Sequence, residues 1–334
     1  MSGHVAVVGA TGAVGQEFIR VLAQRKFPYS KITFLASSRS AGKPIEFAGQ
    51  THTVQELTEE SFKGVDIALF SAGASISRKF APIAVKAGTV VVDNSSAFRM
   101  DPEVPLVVPE VNPDDAFKHK GIIANPNCST IIAVVAVWPL YKLCRIERMV
   151  VSTYQAASGA GYQAMVELEE QAREVLAGRK PTPKVLPHQI AFNLFSHNSK
   201  IGENGYNEEE MKMVKETRKM FHDDNMQITA TCVRVPILRA HSESINLTFS
   251  KPVTEQQVRE ALAAAPGVKI VDDRVNNHFP MPLESSDQDD VFVGRIRQDI
   301  SQPDGRGIDM FVSGDQLRKG AALNTVQIAE LISR

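Results

Sequence analysis

Short β-branched runs and amphipathic segments alternate along the first 130 residues of the chain. Residues 4–8 predict a strand, and Phe18, Ile19 and Leu22 fall on one face of a predicted helix over residues 16–24. The same reasoning predicts further strands at 31–36, 65–70, 89–92 and 121–124, and a helix at 81–87. Strands that alternate with helices are typical of a parallel, doubly wound sheet, so this part is predicted to have an α/β fold.

The pattern changes after about residue 130, where strand-like stretches dominate. An apolar helix at 131–143 comes first, and residues 180–206 are predicted to form a long loop because they are rich in proline and glycine. Strands are predicted at 148–155, 227–235, 244–250, 291–300 and 308–312, and helices at 164–177, 207–221 and 254–265. This order predicts a second, α+β domain with a mostly antiparallel, mixed sheet.

The final segment, residues 319–332, is predicted to be a helix with one apolar face. We assign it to the first domain. A length of 334 residues fits two domains of roughly 150 residues each. The predicted domains are residues 1–129 with 319–334, which bind the dinucleotide, and residues 130–318, which carry catalysis and dimerisation.

Composition and charge narrow the classes of partner. The chain has 37 Lys and Arg against 38 Asp and Glu, a formal net charge of −1, which gives no support to a nucleic-acid or anionic-membrane partner. No window approaches the roughly 18 apolar residues of a membrane span, and the N-terminus shows no secretory signal. Three cysteines favour a reducing compartment, so we expect a cytoplasmic protein. No His or Cys spacing predicts a metal site.

Three glycines, Gly9, Gly12 and Gly15, lie between the first predicted strand and the first predicted helix. Glycines at such a turn let a pyrophosphate approach the helix N-terminus, where free N–H groups bind anions. The pattern therefore favours nucleotide binding over a merely structural turn, although its spacing is a variant of the usual fingerprint.

The segment after the second predicted strand bears on which dinucleotide binds. An NAD site usually carries an acidic residue there, whereas this chain has Arg39 between Ser38 and Ser40. An arginine flanked by hydroxyls suits a 2′-phosphate, so NADP is the predicted cofactor. The alternative is that Arg39 is a solvated loop cation.

Cys128 is the candidate nucleophile among the cysteines. It lies just before the apolar helix at 131–143, and a helix N-terminus stabilises both a thiolate and an oxyanion. From this local context alone, a nucleophile and a packed core residue remain equally compatible. Cys144 and Cys232 are predicted to be packing residues because they lie in an apolar helix end and a strand.

His241 is the candidate base, and Arg234 precedes it across Pro236. Seven residues of extended strand span about 23 Å, so the two side chains share a site only if the chain bends between them. The other histidines, His197 among them, lie in polar loops or helices or near the terminus and have no such neighbours.

The chain resembles the aspartate-β-semialdehyde dehydrogenase family over essentially its whole length. The motifs that carry the resemblance are GATGAVG at 9–15, SSRSAG at 37–42, NSSAFRMDPEVPLVVPEVN at 94–112, NPNCST at 125–130, STYQAASGAG at 152–161, EEEMKM at 208–213, RVPILRAHSES at 234–244 and KGAALNTVQIAE at 319–330. Such a resemblance implies a Rossmann-type NADP-binding domain, a second α+β domain and a homodimer.

The resemblance also implies the reaction. It is the NADPH-dependent, reversible conversion of L-4-aspartyl phosphate to L-aspartate 4-semialdehyde and phosphate, through a thioester on Cys128, in the biosynthesis of lysine, threonine, methionine and isoleucine. By the same resemblance, His241 would be the general acid/base and Gln155 would orient the substrate. Arg234 would bind the α-carboxylate and Glu209 the α-ammonium group.

Further residues are implied for phosphate and cofactor. Arg99 and Lys212 would hold the phosphate, although without the family each charge reads as structural, Lys212 through a pair with Glu208 and Arg99 through an ion pair. The implied cofactor contacts are Thr11, Gly12, Ala13, Val14, Arg39, Ser40, Ser158, Gly159 and Asn324.

Three rival functions remain compatible with parts of the sequence. A reductase of N-acetylglutamyl phosphate has the same architecture, but its blocked amine gives Glu209 nothing to pair with. A Cys–His hydrolase needs neither the glycine turn nor Arg39. A non-catalytic NADP-binding protein leaves Cys128 and His241 unexplained.

Overall fold

A computed structural model describes residues 3–333 of the chain and divides into two units. One unit runs up to Asn127 and resumes at Ala321, and the other is Cys128–Gly320. The boundaries predicted from the sequence are 129 and 319, so each differs by two residues from the observed 127 and 321.

The first unit contains a six-stranded sheet in which every pairing is parallel, with strand order β5-β2-β1-β6-β7-β8. This order is that of dinucleotide-binding sheets, with its switch point between β1 and β6. The elements are β1 Gly3–Val8, α1 Ala13–Gln24, β2 Tyr29–Ala36, β3 Pro44–Phe47, β4 Gln50–Thr53, β5 Gln55–Glu56, β6 Ile67–Phe70, α2 Ala74–Lys86, β7 Val90–Asp93, β8 Ile122–Ala124 and, from the C-terminal segment, α8 Leu323–Ile332. The parallel, doubly wound sheet is confirmed.

The apolar faces explain how this unit packs. Phe18 and Leu22 of α1 are buried in one core cluster with Val326 and Ala329 of α8. The predicted apolar face of the last helix therefore packs against the first helix, which is why the C-terminal segment belongs to this unit.

The second unit is built on a seven-stranded mixed sheet with strand order β10-β11-β9-β12-β15-β14-β13. The β11–β9 and β13–β14 pairs are parallel and the other pairs are antiparallel, which confirms the mixed sheet. The elements are α3 Cys128–Leu143, β9 Ile146–Gln155, α4 Tyr162–Leu176, β10 Phe195–Ser196, α5 Glu208–Phe221, β11 Gln227–Arg234, β12 His241–Phe249, α6 Glu255–Ala263, β13 Val268–Ile270, α7 Pro282–Ser285, β14 Val291–Gln298 and β15 Gly307–Gly314. A π-helical turn, Arg318–Ala322, spans the boundary at Gly320.

The strand register places the candidate site at one end of three adjacent strands of this sheet, β11, β9 and β12. Arg234 at the end of β11 pairs with Gln155 at the end of β9, and His241 at the start of β12 pairs with Gly314. Because side chains alternate along a strand, these residues share one face of the sheet. The apolar helix α3 covers that face, since a methyl group added at Gly314 would lie 3.1 Å from Ile132.

Several predicted elements differ from the observed ones. Helix α2 begins at Ala74 rather than at residue 81, with Pro82 inside it. The predicted helix at 319–332 is interrupted, because a π-helical turn precedes α8. Strand β12 begins at His241 rather than at residue 244, which brings the histidine into the sheet.

Candidate active site

Cys128 is the first residue of α3 and is half-buried. A helix begins with backbone N–H groups that have no partner within the helix, so the thiol lies where negative charge is stabilised. The chain at Gly320 passes close by, since an added Cβ there would be 3.0 Å from the Cβ of Cys128. Any larger residue at 320 would therefore press directly on the candidate nucleophile.

His241 is fully buried, and its two ring nitrogens have different surroundings. The Ala156 N–H donates to Nδ1 at 3.0 Å, whereas Nε2 has no hydrogen-bond partner among residues 3–333. Burial, with the neighbouring charge of Arg234, lowers the pKa of His241 to about 3, so the ring is neutral near pH 7. Since Nδ1 accepts, the ring proton resides on Nε2, and the ring can donate a hydrogen bond from that atom.

Arg234 is buried, and its guanidinium is held at two nitrogens. Nη1 donates to the Ala156 carbonyl at 3.0 Å, and Nη2 lies 2.9 Å from Nε2 of His197. Burial lowers the pKa of Arg234, but a guanidinium stays charged. Its Nε is buried and has no hydrogen-bond partner in the part of the chain that the structure describes.

The predicted bend between Arg234 and His241 is present. The carbonyls of Ile237 and Leu238 accept hydrogen bonds from the N–H groups of Ala157 and Ser158, at 2.8 and 3.1 Å. The bend brings the side chains of Arg234 and His241 close to each other, next to Gly159. A methyl group added at Gly159 would lie 3.0 Å from Nη1 of Arg234 and 2.9 Å from Cε1 of His241.

A buried amide and a buried carboxylate complete this cluster. Nε2 of Gln155 donates to Oε1 of Glu209 at 3.3 Å, and Nζ of Lys212 donates to Oε2 of Glu209 at 2.9 Å. The alternative raised from the sequence, a pair of Lys212 with Glu208, is not the pair that the structure shows. The helix instead places Lys212 against Glu209, three residues earlier on the same face.

His197 is the residue of this site that sequence reasoning missed. It lies just after the two-residue strand β10, whose pairing with the end of β11 sets His197 against Arg234. No motif marks it, because a strand of two residues inside a long loop leaves no periodic pattern in the sequence.

Ser158, predicted to contact the cofactor, is also in the second unit. It is buried, and its Oγ accepts a hydrogen bond from Nε2 of Gln316. It therefore lies on the segment that anchors the bend before His241.

The glycine turn of the first unit has the close approaches that a dinucleotide loop requires. Gly9 follows β1 with a φ of +86°, and an added Cβ there would be 2.3 Å from the carbonyl oxygen of Ser71, just after β6. An added Cβ at Gly15 would be 2.1 Å from the carbonyl oxygen of Gly9. Both contacts exclude side chains at the switch point, where open parallel sheets bind nucleotides.

The start of α1 offers groups for a phosphorylated ligand. Gly12 is the N-cap and provides no side-chain cap, so the first-turn amides of Ala13 and Val14 remain available to an anion. Oγ1 of Thr11 donates to Oγ of Ser40 at 3.4 Å, which joins this loop to the neighbouring serine-rich turn. Arg39 on that turn is exposed. These residues fit the pyrophosphate of a dinucleotide.

Arg99 and Asn324 are also in the first unit, and both are buried. Nη2 of Arg99 donates to the carbonyl of Asn94 at 2.9 Å. Nδ2 of Asn324 donates to the carbonyl of Val107 at 3.0 Å and to Oδ1 of Asn125 at 2.7 Å, tying α8 to the end of β8. The predicted contact of Asn324 with the cofactor stays a prediction.

Metal sites and membrane-spanning helices were also sought among the described residues. Between Gly3 and Ser333, no group of three or more His, Cys, Asp or Glu side chains is arranged to hold a metal ion. Over the same range, no helix has the length and apolar character to cross a membrane.

The fold and these residues define a class: two-domain, nicotinamide-dependent dehydrogenases with a cysteine and a histidine in the second domain. Residues 4–119 match the family described as semialdehyde dehydrogenase, NAD binding domain. Residues 137–319 match the family described as semialdehyde dehydrogenase, dimerisation domain.

Individual relatives narrow the class. The aspartate-semialdehyde dehydrogenase of Synechocystis sp. is 58% identical over 98% of this chain and 97% of its own length, and that of Bacillus subtilis is 49% identical over 99% and 97%. The structure of aspartate semialdehyde dehydrogenase II from Vibrio cholerae, complexed with ASA, has a TM-score of 0.97 at 44% identity and covers 100% of this chain and 99% of that one. The Candida albicans enzyme with NADP has a TM-score of 0.77 at 26% identity, covering 100% and 99%. The chain therefore belongs to the aspartate-semialdehyde dehydrogenase family.

Proposed function

We propose that the chain catalyses the reversible, NADPH-dependent reductive dephosphorylation of L-4-aspartyl phosphate to L-aspartate 4-semialdehyde, a step in amino-acid biosynthesis. The observation that carries the proposal is the pair of opposite charges buried at one end of the mixed sheet. Arg234 and Glu209 are both buried, and Gln155 lies beside both. A substrate with an α-carboxylate and an α-ammonium group offers an oppositely charged partner to each of them, whereas a substrate with a blocked amine offers none to Glu209.

Cys128 is the nucleophile of this reaction. Its thiolate attacks the acyl carbon, the carbon–sulfur bond forms, and the bond between that carbon and the phosphate oxygen breaks. The start of α3, where the helix dipole favours negative charge, stabilises the thiolate and the developing oxyanion. NADPH, when bound, supplies the hydride that reduces the resulting thioester.

His241 acts on the carbonyl oxygen. Its Nε2 carries the ring proton and donates a hydrogen bond to that oxygen as negative charge develops there. The carbon–sulfur bond then breaks, and the aldehyde and the Cys128 thiolate are released. The low pKa of His241 keeps the ring neutral throughout the neutral pH range.

Arg99 and Lys212 bind the leaving phosphate. Lys212 is partly exposed and pairs with Glu209. When the substrate binds, its ammonium group would pair with Glu209 and its phosphate with Lys212, in place of the pair between the two residues. The dinucleotide is NADP, held by the Thr11–Val14 turn with Arg39 and Ser40 on the 2′-phosphate. Ser158, Gly159 and Asn324 are further proposed cofactor contacts.

The protein is a homodimer through the second unit, whose matching family is described as a dimerisation domain. The sheet face opposite His241 supports this assembly. On it, Tyr154 is 37% exposed and packs against Phe311 with ring centroids 6.2 Å apart.

The test is NADPH formation from L-aspartate 4-semialdehyde and NADP, with and without inorganic phosphate. We expect turnover that requires phosphate, and little or none with N-acetyl-L-glutamate 5-semialdehyde. Turnover that is indifferent to phosphate, or that prefers the N-acetylated aldehyde, would contradict the proposal.

A further inference from the structure

We propose that His197 is a positioning residue that orients the Arg234 guanidinium toward the α-carboxylate of the substrate. The inference rests on the proposed function, in which Arg234 binds that carboxylate. Nε2 of His197 lies 2.9 Å from Nη2 of Arg234, on the same face of the sheet.

The direction of this hydrogen bond follows from the chemistry of arginine. A guanidinium only donates, so Nε2 of His197 accepts and the ring proton is on Nδ1. Nδ1 lies 3.1 Å from Oγ of Ser199, which accepts from it. The N–H of Ser199 also points at Nδ1, at 3.3 Å, but the shorter, charge-assisted bond from Arg234 decides the tautomer. That bond requires a neutral ring. Burial, and the charges of Arg234 and Lys212, lower the pKa of His197 to about 4 against the opposing effect of Glu209.

Two anchors fix the orientation of the guanidinium. Nη1 is held by the Ala156 carbonyl and Nη2 by His197, so the planar group cannot rotate about its long axis. The remaining N–H donors, including the buried Nε, are left for a ligand. Two-pronged recognition of a carboxylate depends on such fixed geometry.

The backbone holds His197 in place independently of Arg234. Its N–H donates to the Cys232 carbonyl at 2.8 Å, which extends the pairing of β10 with β11. Two residues later, Oγ of Ser199 accepts from the N–H of Glu209 at 3.1 Å. One short segment of the long loop therefore contacts both Arg234 and Glu209, the two residues that would recognise the amino acid.

Two substitutions separate the acceptor from the rest of the side chain. His197→Gln places an amide oxygen near the position of Nε2 and can still accept from Arg234. His197→Asn places its amide near Nδ1 and cannot reach. We expect His197→Asn to raise KM for L-aspartate 4-semialdehyde at least about tenfold, with KM for NADP and for phosphate unchanged. His197→Gln should recover most of that loss.

A substrate without the carboxylate distinguishes positioning from a general structural role. With 3-aminopropanal, which lacks the α-carboxylate, His197→Asn should change kcat/KM little, and in an Arg234→Lys background it should add little further loss with the natural substrate. Equal losses on both aldehydes, or equal losses in the Asn and Gln variants, would overturn the proposal.

The outcomes also separate this proposal from the function on which it rests. If Arg234→Lys impairs use of aspartate semialdehyde while His197→Asn matches the parent, only the role of His197 is wrong. If Arg234→Lys itself matches the parent, the carboxylate role of Arg234 is wrong, and the proposal for His197 is overturned with it.

Discussion

Some contacts of single residues in the site could be predicted from the sequence, and others could not. Arg234 and His241 could be paired in advance, because a proline between two strands predicts a bend and the family motif covers both residues. His197 could not, because its contact with Arg234 depends on a tertiary pairing that brings a loop to a strand end. The tautomer of His241 was equally out of reach, since it is set by the backbone N–H of Ala156, 85 residues away in the chain.

Substitution of Cys128 tests whether its thiol is the nucleophile. Cys128→Ala should abolish turnover but leave NADP binding nearly unchanged, because the thioester forms on this sulfur before reduction. Cys128→Ser should keep at most traces of activity, since a hydroxyl is a far weaker nucleophile at neutral pH. Cys144→Ala is the matched control and should remain active, because that half-buried thiol follows the far end of α3 and its side-chain hydrogen bond is with Ser250. Near-normal turnover in Cys128→Ala would remove the thioester mechanism.

Cofactor choice is tested at Arg39. This side chain is exposed and makes no hydrogen bond or ion pair with residues 3–333, so its removal should not disturb the fold. Arg39→Ala should raise KM for NADPH at least about tenfold and leave KM for NADH nearly unchanged, since only NADPH carries the 2′-phosphate. Lys43→Ala, an exposed cation nearby, serves as the control. Equal effects on the two cofactors would show that Arg39 does not contact the 2′-phosphate.

At the scale of elements, the sequence predicts best where several local signals agree. Helix α5 matches its prediction because Asn207 accepts from the N–H of Glu210 and three acids occupy the first turn. The β3–β4 hairpin was missed, because its turn has Ala48 at φ +51° before Gly49 at φ +78°. Such a turn is usually marked by Asn-Gly or Asp-Gly, and alanine in a left-handed conformation leaves no recognisable signal.

Strand β12 carries a second buried ionisable group. Glu243 lies two residues after His241 on the same face, is fully buried, and has no hydrogen-bond partner for either carboxyl oxygen among the described residues. Burial raises the pKa of Glu243 well above its ordinary value, which favours the neutral carboxyl in the folded protein. On unfolding at neutral pH it would release a proton, which favours the unfolded chain.

The sign of this effect gives a pH-dependent prediction. The pKa of Glu243 is higher in the folded than in the unfolded chain. Its contribution to the free energy of unfolding is therefore most favourable below the unfolded pKa of about 4.3. Above that pH the contribution falls by about 1.4 kcal/mol for each pH unit, until the folded pKa is reached. The amide of Glu243→Gln has no proton to release, so the free energy of unfolding of this variant relative to the parent should increase as the pH rises above about 4.3. Chemical denaturation at several pH values measures it. Glu170→Gln, at an exposed carboxyl, should show no such trend, and a flat difference for Glu243→Gln would contradict a neutral buried carboxyl.

At the scale of the whole molecule, each unit has the sheet that its sequence pattern predicts and a separate set of functional groups. The parallel sheet has the glycine turn at its switch point, and the mixed sheet has Arg234, Gln155 and His241 at the ends of adjacent strands. The chain passes from one unit to the other at Asn127, so Cys128 is the first residue of the second unit. The alternation of strands and helices along the sequence stops at about residue 130, close to this point.

The last prediction concerns assembly through the mixed sheet. The face opposite His241 is apolar near Tyr154 and Phe311, and a depression there is lined by Val235, Pro236, Ile237, Ser242 and Pro282 as well. Tyr154 is exposed and Phe311 is half-buried, and aromatic side chains grouped in this way on one sheet face are typical of protein–protein contacts. We expect light scattering to give about twice the chain mass of 36.5 kDa.

Phe311→Glu should shift the protein toward the monomer, because a carboxylate buried without a partner opposes association. Ile300→Glu makes the same kind of change at a side chain that is 97% exposed on the β14–β15 turn, at the other end of the sheet, and should leave the dimer intact. A parent protein that remains at the monomer mass at every concentration would exclude the dimer, and a dimer that is unaffected by Phe311→Glu would place its interface on another surface.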